Sequence, residues 1–209
     1  MLGITITRTA NAGVLVEMDG TRILIDGVCQ PLPPYLGCPD YLLSTLYEDM
    51  PDVLAFTHKH LDHYDSNFVK IYEEKTLRSA CGPESLSFYE NNGVTISSFP
   101  TRHIGKTDIL HYSFVIKGSS TIWFMGDATP LSLKSTSSLP KPDLLIVPFA
   151  YAITPSAWRL AKETGAKKIL LVHLPLKEDD SENLWGMVEN TVCGDDLLFT
   201  LNIGEKTTI

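Results

Sequence analysis

Four side chains of the kinds that bind metal ions lie within six consecutive positions of this sequence. They are His58, His60, Asp62 and His63. His58 and His60 directly follow the apolar run 53–56, so a strand that continues through them would project both imidazoles from one face. Imidazole and carboxylate groups are suitable ligands for zinc, iron or manganese. Because the chain has only six histidines, this local concentration predicts a metal site rather than a solvated loop.

Three more residues of ligand type stand at the ends of strand-like runs. His103 follows the run 94–102, Asp127 follows TIWFMG, and His173 follows KILLV. Functional groups gather at strand ends in α/β sheets, so we expect these three to join the first four in one shared site. A single histidine at such a place is more often structural, and this is the expectation for His111, which opens the run 111–118.

The segments that must position these residues show strand-like and helical patterns, with strands dominating the first half. Strands are predicted at 4–7, 13–18, 21–26, 53–56, 94–99, 110–118, 120–127, 143–149, 167–174 and 197–202. Helices are predicted at 41–47, 66–75, 83–91, 155–164 and 181–190. Asp19-Gly20, between the second and third strands, is a hairpin signal. This order predicts a mixed α/β fold.

Length, composition and charge limit the class of protein. The 209 residues are 44% hydrophobic, which is enough to build a substantial core, and we predict a single domain over residues 1–209. No apolar run reaches the roughly 18 residues of a membrane span, and the N-terminus lacks a signal-peptide pattern. We therefore expect a cytoplasmic protein with no membrane partner. The net charge of −8 disfavours long nucleic acid and leaves a small-molecule substrate as the expected partner, with the oligomeric state open.

The histidine-rich cluster matches the motif H-x-H-x-D-H, and the chain resembles the metallo-β-lactamase superfamily over nearly its whole length. The further matches are ILIDG with Asp26, the residue His103, FMGDAT with Asp127, and LLVHLP with His173. The resemblance implies an α/β fold of four layers, an αββα sandwich of two mixed sheets flanked by helices. It also implies one metal held by His58, His60 and His103, a second held by Asp62, His63 and His173, and Asp127 as the bridge between them. Asp26 is expected to hydrogen-bond a ligand imidazole without binding metal itself.

The resemblance implies a metal-dependent hydrolase with two divalent ions. Zinc is the first choice for imidazole and carboxylate ligands, with manganese or iron as alternatives. Two ions that share a water lower its pKa and supply a hydroxide to attack a small ester, lactone or phosphodiester. Asp62 and Asp127 are the expected catalytic residues. The compact build is most similar to hydrolases related to ascorbate-6-phosphate lactonase, although Leu174-Pro175-Leu176 departs from their pattern after the last histidine.

Two alternatives to hydrolysis stay open on the sequence. One is a di-iron redox enzyme, although relatives of that kind usually carry a glutamate where this chain has His60. The other is a non-catalytic binding domain that metal stabilises. Hydrolysis of β-lactams is disfavoured, because several zinc β-lactamases carry a cysteine at the position of Asp127.

The substrate contacts are predicted from fewer signals than the metal ligands. Arg102 and Lys106 flank a predicted ligand and are candidates for binding an anionic group, or else they belong to a solvated loop. Tyr151 is a candidate hydrogen-bond donor to a developing oxyanion, or else a packing residue. The stretch 27–51, which contains Tyr35, is the candidate substrate loop.

Overall fold

The centre of the protein is a pair of β-sheets, seen in a computed structural model that describes residues 3–82, 88–105 and 108–209. In spatial order the five strands of the first sheet are β12 (Lys206–Thr208), β1 (Thr5–Arg8), β2 (Val14–Met18), β3 (Thr21–Ile25) and β4 (Val53–Ala55). The seven strands of the second sheet are β11 (Leu198–Thr200), β10 (Lys168–Val172), β9 (Leu144–Pro148), β8 (Thr121–Phe124), β7 (Tyr112–Lys117), β6 (Val94–Pro100) and β5 (Phe88–Asn91). Each sheet contains both parallel and antiparallel pairs.

Among the described residues, four α-helices cover the outer faces of the two sheets. They are α1 (Asp40–Glu48), α2 (Ser66–Thr76), α3 (Pro155–Glu163) and α4 (Leu184–Val192). Residues of α1 and α2 share a core with the first sheet, and residues of α3 and α4 share one with the second. The start of α2 is set by Asp65, whose side chain accepts a hydrogen bond from the Phe68 N–H at 2.8 Å. Within the described part of the chain, none of the helices combines the length and apolarity needed to cross a bilayer.

The strands divide their side chains between three hydrophobic cores. In β9, Leu144 and Ile146 point into the core between the sheets, whereas Leu145 and Val147 point toward α3 and α4. This alternation follows from the two-residue period of a strand, and it explains why strands covered on both faces are apolar throughout. Full burial of such a side chain stabilises the fold by roughly 1.5–3 kcal/mol. The structure thus confirms the predicted αββα sandwich.

The structure corrects the helix predicted at 83–91. Residues 88–91 form β5, which pairs antiparallel with β6, while residues 83–87 lie outside the described part of the chain. The turn between the two strands is Asn92-Gly93, with φ of 49° and 77°. Asn-Gly with both residues at positive φ is a strong hairpin signal, so the sequence contained the information needed to predict this strand pair.

Two smaller differences lie toward the C-terminus. The helix predicted at 181–190 begins instead at Leu184, because the Asp180 carboxylate accepts from the N–H groups of Leu184 and Trp185 at 2.8 Å. Strand β12 was not predicted. It has only three residues and pairs with β1 at the edge of the first sheet.

Candidate metal centre

The seven predicted metal ligands converge where four strands end. His58, His60, Asp62 and His63 lie on the turn that follows β4. The other three follow strands of the second sheet: His103 comes after β6, Asp127 after β8 and His173 after β10. Because the site draws on both sheets, the packing of the sandwich determines how its parts meet.

His58, His60 and His103 form the first group of ligand-type side chains. The Nε2 atom of His58 lies 2.9 Å from Nδ1 of His60, and the ring centroids of His58 and His60 each lie 4.9 Å from that of His103. The ligand atoms of the three all fall within 4.8 Å of one another. His103 donates its Nδ1 proton to the carbonyl of the neighbouring Ile104, which leaves Nε2 as the atom that faces the site.

Asp62, His63 and His173 form the second group. Oδ2 of Asp62 lies 3.2 Å from Nε2 of His173 and 3.7 Å from Nε2 of His63. Asn11, which is almost fully buried, donates to the same oxygen of Asp62 at 3.4 Å. All three ligand-type side chains are buried.

Asp127 lies between the two groups. Its Oδ2 atom is 3.4 Å from Nε2 of His63 and 3.6 Å from Nε2 of His173, both in the second group. The same oxygen is 3.7 Å from Nε2 of His103 in the first group. One carboxylate oxygen is therefore placed to serve both groups, which is the position that the sequence resemblance implies for a bridging ligand.

The spacing of these atoms fits ligands gathered around metal ions. Two ligand atoms bonded at about 2.0–2.1 Å to one tetrahedral ion stand about 3.3–3.4 Å apart, and most of the separations above lie near that value. In addition, three imidazole nitrogens that face the site are buried without a hydrogen-bond partner among the described residues. They are the Nε2 atoms of His63, His103 and His173. A buried polar atom without a partner destabilises the fold by about 1–3 kcal/mol. Because a divalent metal ion would bond to these atoms, the set of ligand-type atoms fits such an ion.

A second layer of hydrogen bonds sets the orientation of two imidazoles. Asp26 accepts at 2.8 Å from each of three donors: the backbone N–H of Thr57, the Thr57 hydroxyl and Nδ1 of His63. Because the Thr57 hydroxyl gives its proton to Asp26, it must accept from Nδ1 of His58, 2.9 Å away. Both rings thus direct Nε2 to the site. The contact between Asp26 and a ligand imidazole was predicted, whereas the role of Thr57 was not.

We expect Asp26→Asn to weaken metal binding about 10- to 100-fold, the usual cost of losing such an outer contact. The amide nitrogen cannot accept a proton from His63 or Thr57, so both imidazoles would lose their fixed direction. Competition with a coloured chelator measures the affinity. An affinity equal to that of the native protein would show that Asp26 does not orient the ligands.

Gly126 allows the loop that carries Asp127 to approach Thr57. Its φ is 53°, and a Cβ atom at this position would lie 2.6 Å from the Thr57 side chain. Glycine is the residue that tolerates both conditions. His173 also has a positive φ, 62°, which is costly for a residue with a side chain and is typical of functional sites.

The charges of the site favour a cationic His63 in the metal-free protein. Burial opposes charge on this imidazole, but the carboxylates of Asp127 and Asp26 outweigh it and raise the pKa of His63 well above its ordinary value. Burial raises the pKa of the Asp127 carboxyl. The charges of His173 and His63 outweigh this effect and hold that pKa well below its usual range. For His58 the effect of burial prevails, and with the neighbouring His63 it lowers the pKa far below normal.

Metal uptake at pH 7 should therefore release a proton from His63, since a metal binds the neutral imidazole. The folded pKa of His63 is raised, so its protonated form stabilises the metal-free protein below about pH 6.5 and loses that effect as pH rises through the folded pKa. Metal affinity should increase as pH rises through the folded pKa of His63, because less of the imidazole is then protonated. Titration calorimetry in two buffers of different ionisation enthalpy measures the release, and identical heats in both would contradict it.

The predicted substrate contacts have different outcomes. Arg102 is exposed and lines a cavity of about 520 Å³ beside His103, while Lys106 lies outside the described residues. Tyr35, in the candidate substrate loop, packs its ring edge-on against His173 with centroids 4.6 Å apart. Tyr151 needs correction as a substrate contact, because it is fully buried and its hydroxyl donates to the Thr129 carbonyl at 3.1 Å.

Removing the Tyr151 hydroxyl should consequently affect stability more than turnover. Tyr151→Phe loses one hydrogen bond to the segment that follows Asp127, and we expect it to destabilise the fold by about 1 kcal/mol. Urea unfolding measures the loss, and kcat should stay within about twofold because the hydroxyl does not reach a substrate. A large fall in kcat with unchanged stability would restore the oxyanion-donor hypothesis.

Comparison with known families agrees with the fold. A family model described as a beta-lactamase superfamily domain matches residues 5–172. The chain therefore belongs to the beta-lactamase superfamily, with the metallo-β-lactamase fold. A comparison with curated proteins finds no match.

Solved structures share the fold across wide sequence divergence. A possible metal-dependent hydrolase from Veillonella parvula DSM 2008 superposes with a TM-score of 0.71 at 17% identity, over 98% of this chain and 99% of that one. An isothiocyanate hydrolase from Delia radicum gut bacteria gives 0.67 at 16%, over 98% of each chain. CmlA, a diiron β-hydroxylase from Streptomyces venezuelae, gives 0.65 at 13%, over 99% of this chain and 54% of CmlA.

Proposed function

We propose that this protein is a metal-dependent hydrolase that holds two divalent ions, zinc being the first candidate, and acts on a small ester, lactone or phosphodiester. The observation that carries the proposal is the convergence of seven ligand-type side chains into two groups, with Asp127 between them. His58, His60 and His103 would hold one ion, and Asp62, His63 and His173 the other. Two proteins of similar structure, a possible metal-dependent hydrolase and an isothiocyanate hydrolase, support hydrolysis.

The protein supplies the geometry for this chemistry. When bound, two divalent ions lower the pKa of a shared water and polarise the oxygen of the bond under attack. Asp26 and Thr57 keep the rings of His58 and His63 turned so that Nε2 faces the site. The depressed pKa of Asp127 keeps its carboxylate ionised at neutral pH, as a bridging ligand requires.

Asp62 is the proposed carrier of a proton during turnover. Burial raises its pKa, but the neighbouring His173, whose Nε2 lies 3.2 Å from Oδ2, and the charge of His63 prevail and lower that pKa. The carboxylate is thus ionised and can accept a proton from the attacking water. Asn11 holds one of its oxygens in place.

The surroundings of the site favour a compact substrate. The cavity beside His103 holds about 520 Å³ and combines the Arg102 side chain with Thr101, Thr129 and Leu131. On the opposite group, the Tyr35 ring covers one edge of His173, where a flat or apolar part of a substrate can pack. We propose these two surfaces as the substrate contacts.

A substrate panel with a matched variant tests the proposal. Native protein loaded with zinc, manganese or iron is assayed on lactones, simple esters, thioesters, phosphodiesters, β-lactams and isothiocyanates. Isothiocyanates are included because an isothiocyanate hydrolase has a similar structure. We expect metal-dependent turnover of at least one ester-like class and none by His58→Ala. Activity that survives complete removal of metal would overturn the proposal. Bound metal without any turnover would favour the non-catalytic binding domain.

A di-iron redox enzyme is the second candidate, favoured by one observation. CmlA, a diiron β-hydroxylase, shares the fold across nearly the whole of this chain. His60 occupies a place where redox relatives usually have glutamate, which favours hydrolysis. Iron bound in preference to zinc, with a visible absorption band and oxygen consumption, would decide for the redox enzyme.

A further inference from the structure

His111 is the one histidine without a place in the proposed metal centre, yet its ring lies beside two of the predicted ligands. Its side chain is almost fully buried. The ring centroid is 5.0 Å from that of His58 and 5.8 Å from that of His103. It is absent from the groups of described residues whose ligand atoms lie close enough to share an ion.

A chain of hydroxyl groups determines which nitrogen of His111 carries the proton. The Ser113 hydroxyl donates to the carbonyl of Met125 at 2.9 Å. Thr101, whose hydroxyl is 2.9 Å from that of Ser113, must therefore donate to Ser113. With its own proton used, the Thr101 hydroxyl accepts from Nδ1 of His111 at 2.8 Å. Nδ1 consequently carries the proton, and Nε2 of the neutral ring presents a lone pair.

This lone pair has no donor among the described residues. The two nearest imidazoles cannot supply one, since His58 gives its Nδ1 proton to Thr57 and His103 gives its own to Ile104. Their Nε2 atoms face the proposed metal site. A donor to His111 must then come from outside the described residues, and a buried acceptor without a donor is costly enough to require one.

The second buried acceptor in this region is Oδ1 of Asp127, which likewise has no donor among the described residues. Asp127 and His111 share His58 as a neighbour. Burial lowers the pKa of His111 to about 3, against the opposing charge of the Asp127 carboxylate, so the His111 ring is neutral. Two acceptors require two donors. A water molecule has two O–H groups, and buried waters typically satisfy such pairs of polar atoms.

We propose that Nε2 of His111 and Oδ1 of Asp127 bind one water molecule between them. Through this water His111 is a positioning residue: it holds Oδ1 of Asp127 away from the ions, so that Oδ2 is presented to both ligand groups. The role rests on the proposed metal centre, whereas the water site and the tautomer of His111 do not require metal.

Two amide substitutions test the roles of Nδ1 and Nε2 of His111 separately. Asparagine places its amide near the position of Nδ1 and can still donate to Thr101, but it provides no acceptor at the position of Nε2. Glutamine reaches the position of Nε2 and restores an acceptor there. We expect His111→Asn to lower metal affinity about 10-fold or more, as loss of an outer contact does, and His111→Gln to stay within about 3-fold of the native protein. Equal losses in both variants at equal thermal stability would overturn the positioning role.

Measurements on metal-free native protein test the water site independently. Nitrogen-15 spectra should show His111 with its proton on Nδ1, and a high-resolution crystal structure should show an ordered water within hydrogen-bond distance of both atoms. A proton on Nε2, or carbon atoms filling the space between His111 and Asp127, would each overturn the proposal. If the native protein binds no metal, the metal centre fails while these measurements still decide the water site.

Discussion

Replacing Asp127 by alanine is expected to abolish the proposed dinuclear centre. One oxygen of this carboxylate lies 3.4–3.7 Å from ligand atoms of both groups, so its loss removes a shared ligand and the negative charge that offsets two cations. We expect the bound metal to fall from two equivalents to one or fewer, and kcat/KM on any substrate found to fall by at least about 10³-fold, more than 4 kcal/mol in the transition state.

The control for this substitution is a second aspartate replaced by alanine far from the site. Asp196 has an exposed side chain near the C-terminal end of the chain, and Asp196→Ala should keep native metal content and activity. Elemental analysis and steady-state kinetics on both variants provide the comparison. Two full equivalents of metal in Asp127→Ala would show that Asp127 is not the bridge.

Removing metal from the native protein is expected to lower its thermal stability strongly. Metal binds the folded site and not the unfolded chain, so at free metal 100–1,000 times the dissociation constant it stabilises the fold by about 3–4 kcal/mol. For a chain of this length that corresponds to a fall in Tm of roughly 5–15 °C on chelation. Without metal, the Nε2 atoms of His103 and His173 are buried with no hydrogen-bond partner among the described residues.

A chelator saturated with zinc serves as the control, because it leaves the ions in place. Differential scanning calorimetry before chelation, after chelation and after addition of zinc should show a reversible loss. A Tm that is unchanged by complete chelation would mean that the site holds no metal in the folded protein.

The local part of the site was predictable because its information lies in adjacent residues. His58, His60, Asp62 and His63 are concentrated in one turn after an apolar strand, and their chemistry alone predicts a metal site. His103, Asp127 and His173 are distant in sequence, and only their positions after strands and the family resemblance joined them to the cluster. The structure brings all seven together.

The residues that hydrogen-bond to the predicted ligands were harder to predict from the sequence. Asp26 and Thr57 are 31 positions apart, and their contact follows from the parallel pairing of β3 and β4 rather than from any spacing in the sequence. The hydroxyl chain from Met125 through Ser113 and Thr101 to His111 likewise requires three adjacent strands in register. Residues of these types are common, so nothing local distinguishes them.

Two sequence predictions went wrong for physical reasons. The helix at 83–91 was predicted without using the Asn92-Gly93 turn, which reverses the chain into a β-hairpin. Tyr151 was predicted as a substrate contact because it follows an apolar run near the site. Its hydroxyl instead satisfies the Thr129 carbonyl inside the core, and a sequence does not show which of two such partners a tyrosine reaches.

The measurement that tests the central claim most directly is a crystal structure of the native protein with anomalous diffraction recorded at the absorption edge of the metal it binds. Two anomalous peaks are predicted: one among His58, His60 and His103, and one among Asp62, His63 and His173, with Asp127 in contact with both. A single peak in one group, or none at a protein concentration and metal supply sufficient for saturation, would contradict a dinuclear centre.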